Sequence, residues 1–189
     1  AVMESAKLLY EHLGDLVVLD VGGATTDLHS VTEGSEEISR ILISPEPKAK
    51  RTVEGDLGVY INIANIVESI GREKLSEELG LDIDKIMENY RFVPRTDEEV
   101  RFVERLTKEA VIKATERHAG RIRYVYGPSG RSTLAEGKDL SQVKYIIGTG
   151  GALTRLPNRR EILEAIALHN ETGLLLFPGT EAKTLIDND

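Results

Sequence analysis

The stretch LVVLDVGGATTDLHSV, residues 16–31, decides the fold because it joins two strand patterns through a glycine turn. Residues 16–21 form a short apolar run rich in β-branched side chains, which is typical of a buried strand. Residues 27–32 alternate apolar and polar side chains, as a half-buried strand does. Gly22 and Gly23 lie between the two segments and permit a tight reversal. The sequence therefore predicts a pair of antiparallel strands here.

Beyond this pair, the sequence predicts one more strand and then a helical region. Residues 38–44 carry the pattern of a third strand, so the first three strands are expected to form an antiparallel meander. Apolar side chains recur at helical spacing between residues 63 and 70. Two short helices are expected within residues 72–89, and Thr96 is expected to cap a long helix that runs to about His118.

The C-terminal part of the chain returns to strands. We predict, in order, a hairpin around residues 127–130, a buried strand at 145–147, a helix at 159–169 and one or two short strands in the tail. This order indicates an α/β fold with a mixed sheet. We expect a single unit, residues 1–189, whose core comprises about 14–70 and 141–189, with a mainly helical lobe inserted at about 71–140.

The composition limits the classes of function. The chain of 189 residues has 24 basic and 32 acidic side chains, a net charge of −8 and no cysteine. Without cysteine there is no disulfide framework, thiol nucleophile or thiolate zinc site. The apolar runs are too short to span a bilayer, and the acidic balance argues against nucleic acid as a partner. We expect a cytoplasmic protein. The histidines show no metal-ligand spacing: His29 is expected in a strand, and His12, His118 and His169 at the surface.

The motif DVGGATTD carries the first candidate site. Asp20 ends the predicted buried strand, where a carboxylate can hold a magnesium-bound water or orient an attacking water. Gly22 and Gly23 lack Cβ atoms and let successive backbone N–H groups approach a phosphate. Thr25 and Thr26 add hydroxyl donors. The alternative is an ordinary Gly-Gly hairpin whose threonines pack on the sheet.

The motif GTGGALTRLP, residues 148–157, carries the second candidate site. It follows a predicted buried strand and precedes a helix, and its three glycines suit a loop against which a flat ring lies. Arg155 is a candidate to stack on an adenine face. Glycine loops between strand and helix are frequent, and this spacing matches neither GxGxxG nor the P-loop. The two motifs together are far more specific than either alone.

Together the motifs resemble the second phosphate motif and the adenosine motif of the actin-like ATPase superfamily, which includes sugar kinases, actin and the heat-shock chaperone ATPases. The chaperone pattern DLGGGTFD corresponds to DVGGATTD with Ala24 in place of the third glycine, and GGSTRIP corresponds to GGALTRLP with one extra residue. More narrowly, LVVLDVGGATTDLHSVTEG, PKAKRTVEGDLG and KDLSQVKYIIGTGGALTRLPN resemble the MutL or GlmL family, the accessory ATPases of cobalamin-dependent glutamate (methylaspartate) mutases. This similarity covers nearly the whole chain. The mismatch-repair protein that shares the MutL name is a different family, and its ATP motif does not occur here.

The resemblance implies a ribonuclease-H-like, actin-like ATPase domain that binds ATP or ADP with Mg²⁺. Asp20 would be the catalytic residue and would hold the metal through water. Thr25 matches the chaperone threonine, whereas Thr26 has no such match. The nucleotide contacts implied are Gly22, Gly23, Thr25, Thr26, Gly148, Gly150, Gly151, Ala152 and Arg155.

The resemblance also implies partners. Members of the superfamily close two similar domains on the nucleotide, and the first domain carries an Asp-x-Gly-Ser/Thr motif that this sequence lacks. We therefore expect the second ATPase domain of a longer protein, inactive without its N-terminal ATPase domain. Its other partner would be a cobalamin-dependent mutase, whose damaged cobalamin it helps to exchange as diol dehydratase reactivase does. The alternatives are a small-molecule kinase of the same superfamily and a non-catalytic nucleotide-binding or partner-binding module.

Four charged residues near the first motif remain open. Glu54 and Asp56 either reach the metal or a partner, or cap the helix that follows. Arg51 is either a phosphate ligand or the ion-pair partner of these carboxylates. Asp27 is expected to hydrogen-bond within the hairpin rather than to contact a ligand.

Overall fold

The computed structural model describes residues 1–188 and shows a mixed α/β fold built on a five-stranded sheet. The strands are β1 (Leu16–Val21), β2 (Thr26–Val31), β3 (Ala49–Glu54), β4 (Arg121–Gly127), β5 (Gly130–Glu136), β6 (Tyr145–Thr149) and β7 (Lys183–Ile186). The helices are α1 (Val2–Leu13), α2 (Glu36–Ser39), α3 (Ile63–Ile70), α4 (Arg72–Leu79), α5 (Ile83–Glu88), α6 (Asp97–His118), α7 (Gly150–Arg155) and α8 (Arg159–Leu168).

The sheet combines an antiparallel meander with a parallel half. Its strand order is β3-β2-β1-β6-β7, and β4 and β5 form a separate two-stranded sheet. The pairs β1–β2 and β2–β3 are antiparallel, whereas β1–β6 and β6–β7 are parallel. The central strand β1 is buried at every position but Asp20, which confirms the strand predicted from its apolar run.

The third strand of the meander lies outside the predicted segment. Residues 38–44 begin in α2, and the strand is β3, so the prediction for 38–44 is wrong. The hydroxyl of Ser35 accepts a hydrogen bond from the Ile38 N–H at 3.2 Å and caps a helical turn whose first residues are acidic. Because β3 is an edge strand with partly exposed side chains, its sequence lacks the apolar alternation that marks β2.

Helices cover both faces of the sheet. On one face Ala6 of α1 packs with Leu16, Val18 and Val31. On the other face α3, α6 and α8 bury the larger apolar core, in which Phe102 of α6 is fully buried. Helix α6 thus belongs to the same core as the sheet, although it lies within the predicted lobe at 71–140; the division into core and lobe stays a prediction.

Several local predictions are confirmed, and one about histidine is wrong. Thr96 caps α6 by accepting a hydrogen bond from the Glu99 N–H at 3.1 Å, and the predicted hairpin turn joins β4 to β5. His118, expected at the surface, is 1% exposed, with Nε2 2.7 Å from Ser30 Oγ and Nδ1 2.8 Å from Thr52 Oγ1. Burial lowers the pKa of His118 to about 3, since the charged ring would lose its hydration. Within residues 1–188, no helix is long and apolar enough to cross a membrane.

Candidate functional site

The two glycine motifs meet at one edge of the sheet. β1 and β6 are adjacent parallel strands, so their carboxyl ends lie side by side, and Asp20 is in register with Thr149. In α/β sheets this is the edge where ligands bind. A cleft of about 390 Å³ opens there, which is within the usual size of small-molecule sites. Its lining includes Val21, Gly22, Gly23, Gly151, Ala152, Arg155, Leu156 and Pro157.

The turn after β1 is held through its carbonyl groups, and two of its N–H groups stay unpaired within the described residues. Its carbonyls are occupied: Gly22 O accepts from the Val59 N–H at 3.1 Å, and Gly23 O accepts from the Tyr60 N–H at 3.0 Å. In contrast, the N–H groups of Gly23 and Ala24 donate to no acceptor within residues 1–188. Two neighbouring unpaired N–H groups in a glycine turn form the kind of concave donor site that binds anions.

Gly58 lets the segment that follows β3 pack closely against the turn. A Cβ at Gly58 would lie 2.2 Å from the carbonyl carbon of Ala24. The amide of Asn62 adds hydrogen bonds to Ala24 O at 2.8 Å and Gly55 O at 2.9 Å. The segment that follows β3 therefore fixes the shape of the turn.

Asp20 lies among other polar groups on the sheet face that also carries α1. It is paired across the strands with Asp27 of β2 and with Thr149 of β6, so the three side chains share that face. Partial burial, and then the charge of Asp27, raise the pKa of Asp20. Thr149 donates to Asp187 Oδ2 at 2.8 Å. Asp20 is thus a partly accessible carboxylate one residue before the end of β1.

Asp27 differs from its expected role. It does not hydrogen-bond within the hairpin: its Oδ2 accepts from Arg51 Nη2 of β3 at 2.7 Å. Its Oδ1 is buried and has no hydrogen-bond partner within the described residues. A buried carboxylate oxygen without a donor is costly, which suits a position filled by a water or a hydrated ligand.

The remaining charged residues near the motif are also explained. Arg51 pairs with Asp27, so it is not the partner of Glu54 and Asp56. Those two carboxylates bind Arg117 of α6, which donates to Glu54 at 2.7 Å and to both oxygens of Asp56 at 2.7 and 2.9 Å. The interpretation that they cap the next helix is wrong, because the N-cap of α3 is Asn62.

The three glycines of the second motif have different structural reasons to be glycine. Gly148 faces the core, where a Cβ would lie 2.7 Å from Leu163 Cδ1. Gly150 has φ +88°, and a Cβ there would lie 2.5 Å from Val21 O and 2.6 Å from Asp20 Oδ1. A Cβ on Gly151 would meet nothing within 4 Å. Of these three, only Gly151 lines the cleft.

The two threonines of the first motif also differ in their surroundings. Thr26 is buried, and its hydroxyl donates to Leu57 O at 2.8 Å, so its side chain holds the segment that follows β3. Thr25 is half-buried in the turn, and its hydroxyl makes no side-chain hydrogen bond within residues 1–188. Only Thr25 therefore keeps a hydroxyl that a ligand can use.

Aromatic residues form a wall of the cleft that the sequence did not reveal. The rings of Tyr60 and Phe92 meet edge to face at 5.4 Å, and those of Tyr60 and Tyr90 stack at 5.8 Å. Tyr90 Oη donates to Val59 O, and burial raises the pKa of Tyr90. Phe92 is 64% exposed, and a Cβ on Gly23 would lie 3.1 Å from its ring. These aromatics come from two irregular segments, so no periodic pattern marks them.

The carboxylates that lie next to each other near the end of β1 are Asp20 and Asp27. Within the described residues, no group of three or more His, Asp or Glu side chains is placed to hold a metal ion. Asp20 and Asp27 Oδ1 are the carboxylate groups there that could accept hydrogen bonds from the waters of a hydrated cation.

Comparisons with known proteins agree with one another. A sequence model described as MutL protein matches residues 1–189. The curated Protein MutL of Clostridium tetanomorphum is 41% identical over 180 residues, covering 87% of this chain and 39% of that relative. The chain therefore spans less than half the length of the relative. A match across the whole length places the chain, with its two glycine motifs, in the MutL protein family.

Proposed function

We propose that this chain is the ATP-binding half of an ATP-hydrolysing accessory factor for a cobalamin-dependent mutase, acting in the cytoplasm much as diol dehydratase reactivase does. The domain would be of the ribonuclease-H-like, actin-like ATPase type. The observation that carries the proposal is the single cleft at the carboxyl ends of β1 and β6, which both glycine motifs line although they are far apart in sequence.

The first motif would hold the phosphates. The unpaired N–H groups of Gly23 and Ala24 would donate to phosphate oxygens, and the Thr25 hydroxyl would add a further donor. Mg²⁺, when bound, would neutralise phosphate charge. Asp20 would hold it through water and orient the attacking water, and Asp27 would accept from the same hydration shell. The raised pKa of Asp20 fits a carboxylate that becomes better stabilised when a cation arrives.

The second motif and the aromatic wall would hold adenosine. Gly151 faces open space, so a ligand can lie directly against the backbone there. Ala152 and Arg155 line the same cleft, and the guanidinium of Arg155 can stack on a purine. Phe92 and Tyr60 supply apolar surface for the base and sugar.

Catalysis would require a second domain. The chain spans 39% of its curated relative, which leaves room there for an N-terminal ATPase domain that would close on the nucleotide. If the complete site binds ATP at about micromolar (about −8 kcal/mol) and this half supplies half of that free energy, its own affinity is roughly millimolar. Hydrolysis would reopen the cleft and move the surfaces that contact the mutase.

The test is Asp20→Ala in the full-length protein. We expect loss of ATP hydrolysis with an unchanged circular dichroism spectrum, because Asp20 is a partly exposed end-of-strand residue. The matched control is Asp56→Ala, a carboxylate whose two oxygens are both bound by Arg117, which should retain hydrolysis. Wild-type hydrolysis in the Asp20 variant would refute the proposed role, and absence of ATP binding by the full-length wild type would refute the proposed function.

A further inference from the structure

The hairpin formed by β4 and β5 protrudes from the body. Its strands pair from Arg121↔Glu136 to Gly127↔Gly130, and every residue from 123 to 133 is exposed. Within the described residues, its backbone hydrogen bonds to the rest of the chain lie at the base: the Ile122 N–H donates to Leu174 O at 2.7 Å, and the Ala135 N–H donates to Ile41 O at 2.9 Å. We call residues 123–133 the arm. A two-stranded ribbon with both faces in water is only marginally stable by itself, so a partner surface would stabilise it.

The arm exposes side chains that commonly anchor protein interfaces. Tyr126 is 76% exposed, and Tyr124 and Val125 are each more than 40% exposed. By the strand alternation, Tyr124 and Tyr126 share one face, on which Tyr126 is paired with Arg131. Tyrosine and arginine are enriched among the residues that dominate binding free energy. The arm therefore presents a face that carries two tyrosines and one arginine.

Of the two arginines in the arm, Arg123 is paired with a carboxylate and Arg131 is not, within the described part of the chain. Arg121 and Arg123 share the carboxylate of Glu136 at the base, at 3.0 and 3.1 Å. Arg131 lies 4.4 Å above the Tyr124 ring and pairs with no carboxylate of residues 1–188. The arm holds two arginines and no acidic residue, in a chain of net charge −8.

We propose that the arm docks onto a carboxylate-bearing surface of another protein, the cobalamin-dependent mutase. The choice of the mutase as the partner rests on the proposed function. Nucleic acid is disfavoured because the acidic body would repel a phosphate backbone. Contact between two arms of identical chains would bring unpaired arginines together. Reciprocal contact from the arm of each copy to the body of the other would close a two-fold dimer, an outcome that the measurement of self-association below separates. An acidic surface on a different protein would neutralise Arg131 without the repulsion between two arms.

The test measures binding of the full-length protein to the purified cobalamin-dependent mutase of the same organism by calorimetry. Tyr126→Ala and Arg131→Glu should each weaken binding at least tenfold, because each removes an anchor. The control is Lys108→Glu, an equal charge reversal on exposed α6, which should change affinity less than threefold. Binding by the wild type should weaken with salt, and Arg131→Glu should reduce that dependence. Unfolding midpoints should not change, since all three side chains are exposed.

The outcomes separate the two proposals. Equal mutase binding by the wild type and both arm variants would overturn the docking site and leave the proposed function standing. Self-association of the wild type that Arg131→Glu abolishes would show instead that the arm serves a second copy. Failure of the wild type to bind any cobalamin-dependent mutase of its organism would overturn the proposed function, and the docking site with it.

Discussion

Replacing Gly150 by alanine tests how closely the second motif packs on the first. At φ +88° an L-residue is strained by roughly 1–2 kcal/mol. The new Cβ would also lie 2.5 Å from Val21 O, 2.8 Å from Val21 N and 2.6 Å from Asp20 Oδ1. Two of these three atoms are backbone of the central strand and cannot rotate away, so overpacking adds about 1–3 kcal/mol. The expected total loss is about 2–5 kcal/mol.

Gly151→Ala is the matched control, one residue further along. A Cβ there meets nothing within 4 Å, and the residue is helical, so alanine should leave stability unchanged or raise it by up to about 1 kcal/mol. In the full-length protein, however, the same methyl group would intrude on the space where we place adenosine. We expect weaker ATP binding by Gly151→Ala without loss of stability.

The assay is equilibrium unfolding in guanidinium chloride, followed by circular dichroism. The free energy of unfolding of Gly150→Ala should fall below that of both wild type and Gly151→Ala, with an unchanged denaturant slope. Equal stability of the two variants would refute the close approach of α7 to β1. It would also remove the argument that Gly150 is glycine for the backbone rather than for a ligand.

Three further predictions concern the body of the domain. The pKa of His118 is lowered to about 3, so the folded state does not bind a proton that the unfolded state binds below pH 6.5. The free energy of unfolding should therefore fall as the pH drops from 6.5, by up to about 1.4 kcal/mol per pH unit. His118→Gln should lack this contribution, which urea unfolding at pH 7 and pH 5 would measure. An equal change in the free energy of unfolding between the two pH values in wild type and variant would contradict the buried neutral ring. Phe102→Ala should cost about 3–5 kcal/mol, measured by urea unfolding, because the ring is fully buried. Arg117→Gln should lower the free energy of unfolding by no more than about 1 kcal/mol, because the Arg117 side chain that pairs with Glu54 and Asp56 is 41% exposed. ATP hydrolysis should not change, since these residues do not line the cleft. Loss of hydrolysis would show that the ion pair belongs to the site.

Local sequence determined the elements whose signals are local. The apolar run of β1 and the glycines after it specify a buried strand and a tight turn, and the spacing from Ile63 to Ile70 specifies α3. The cap at Thr96 was readable because the signal lies within four residues. The pairing of the two glycine motifs was predictable only from their combined resemblance to a family.

The tertiary structure alone decided what depends on neighbours distant in sequence. β3 is a strand because β2 pairs with it. The segment predicted as a strand instead begins in α2, which the Ser35 hydroxyl caps. His118 is buried because β2 and β3 offer it two hydroxyls.

The same holds for the walls of the cleft, whose aromatics come from segments without periodicity, and for the glycines. Gly148, Gly150 and Gly151 look alike in the sequence, yet one faces the core, one faces the backbone of β1 and one faces open space. A glycine in the sequence shows only that there is no side chain at that position. Which atoms occupy the space of the missing side chain depends on the packing of the folded chain.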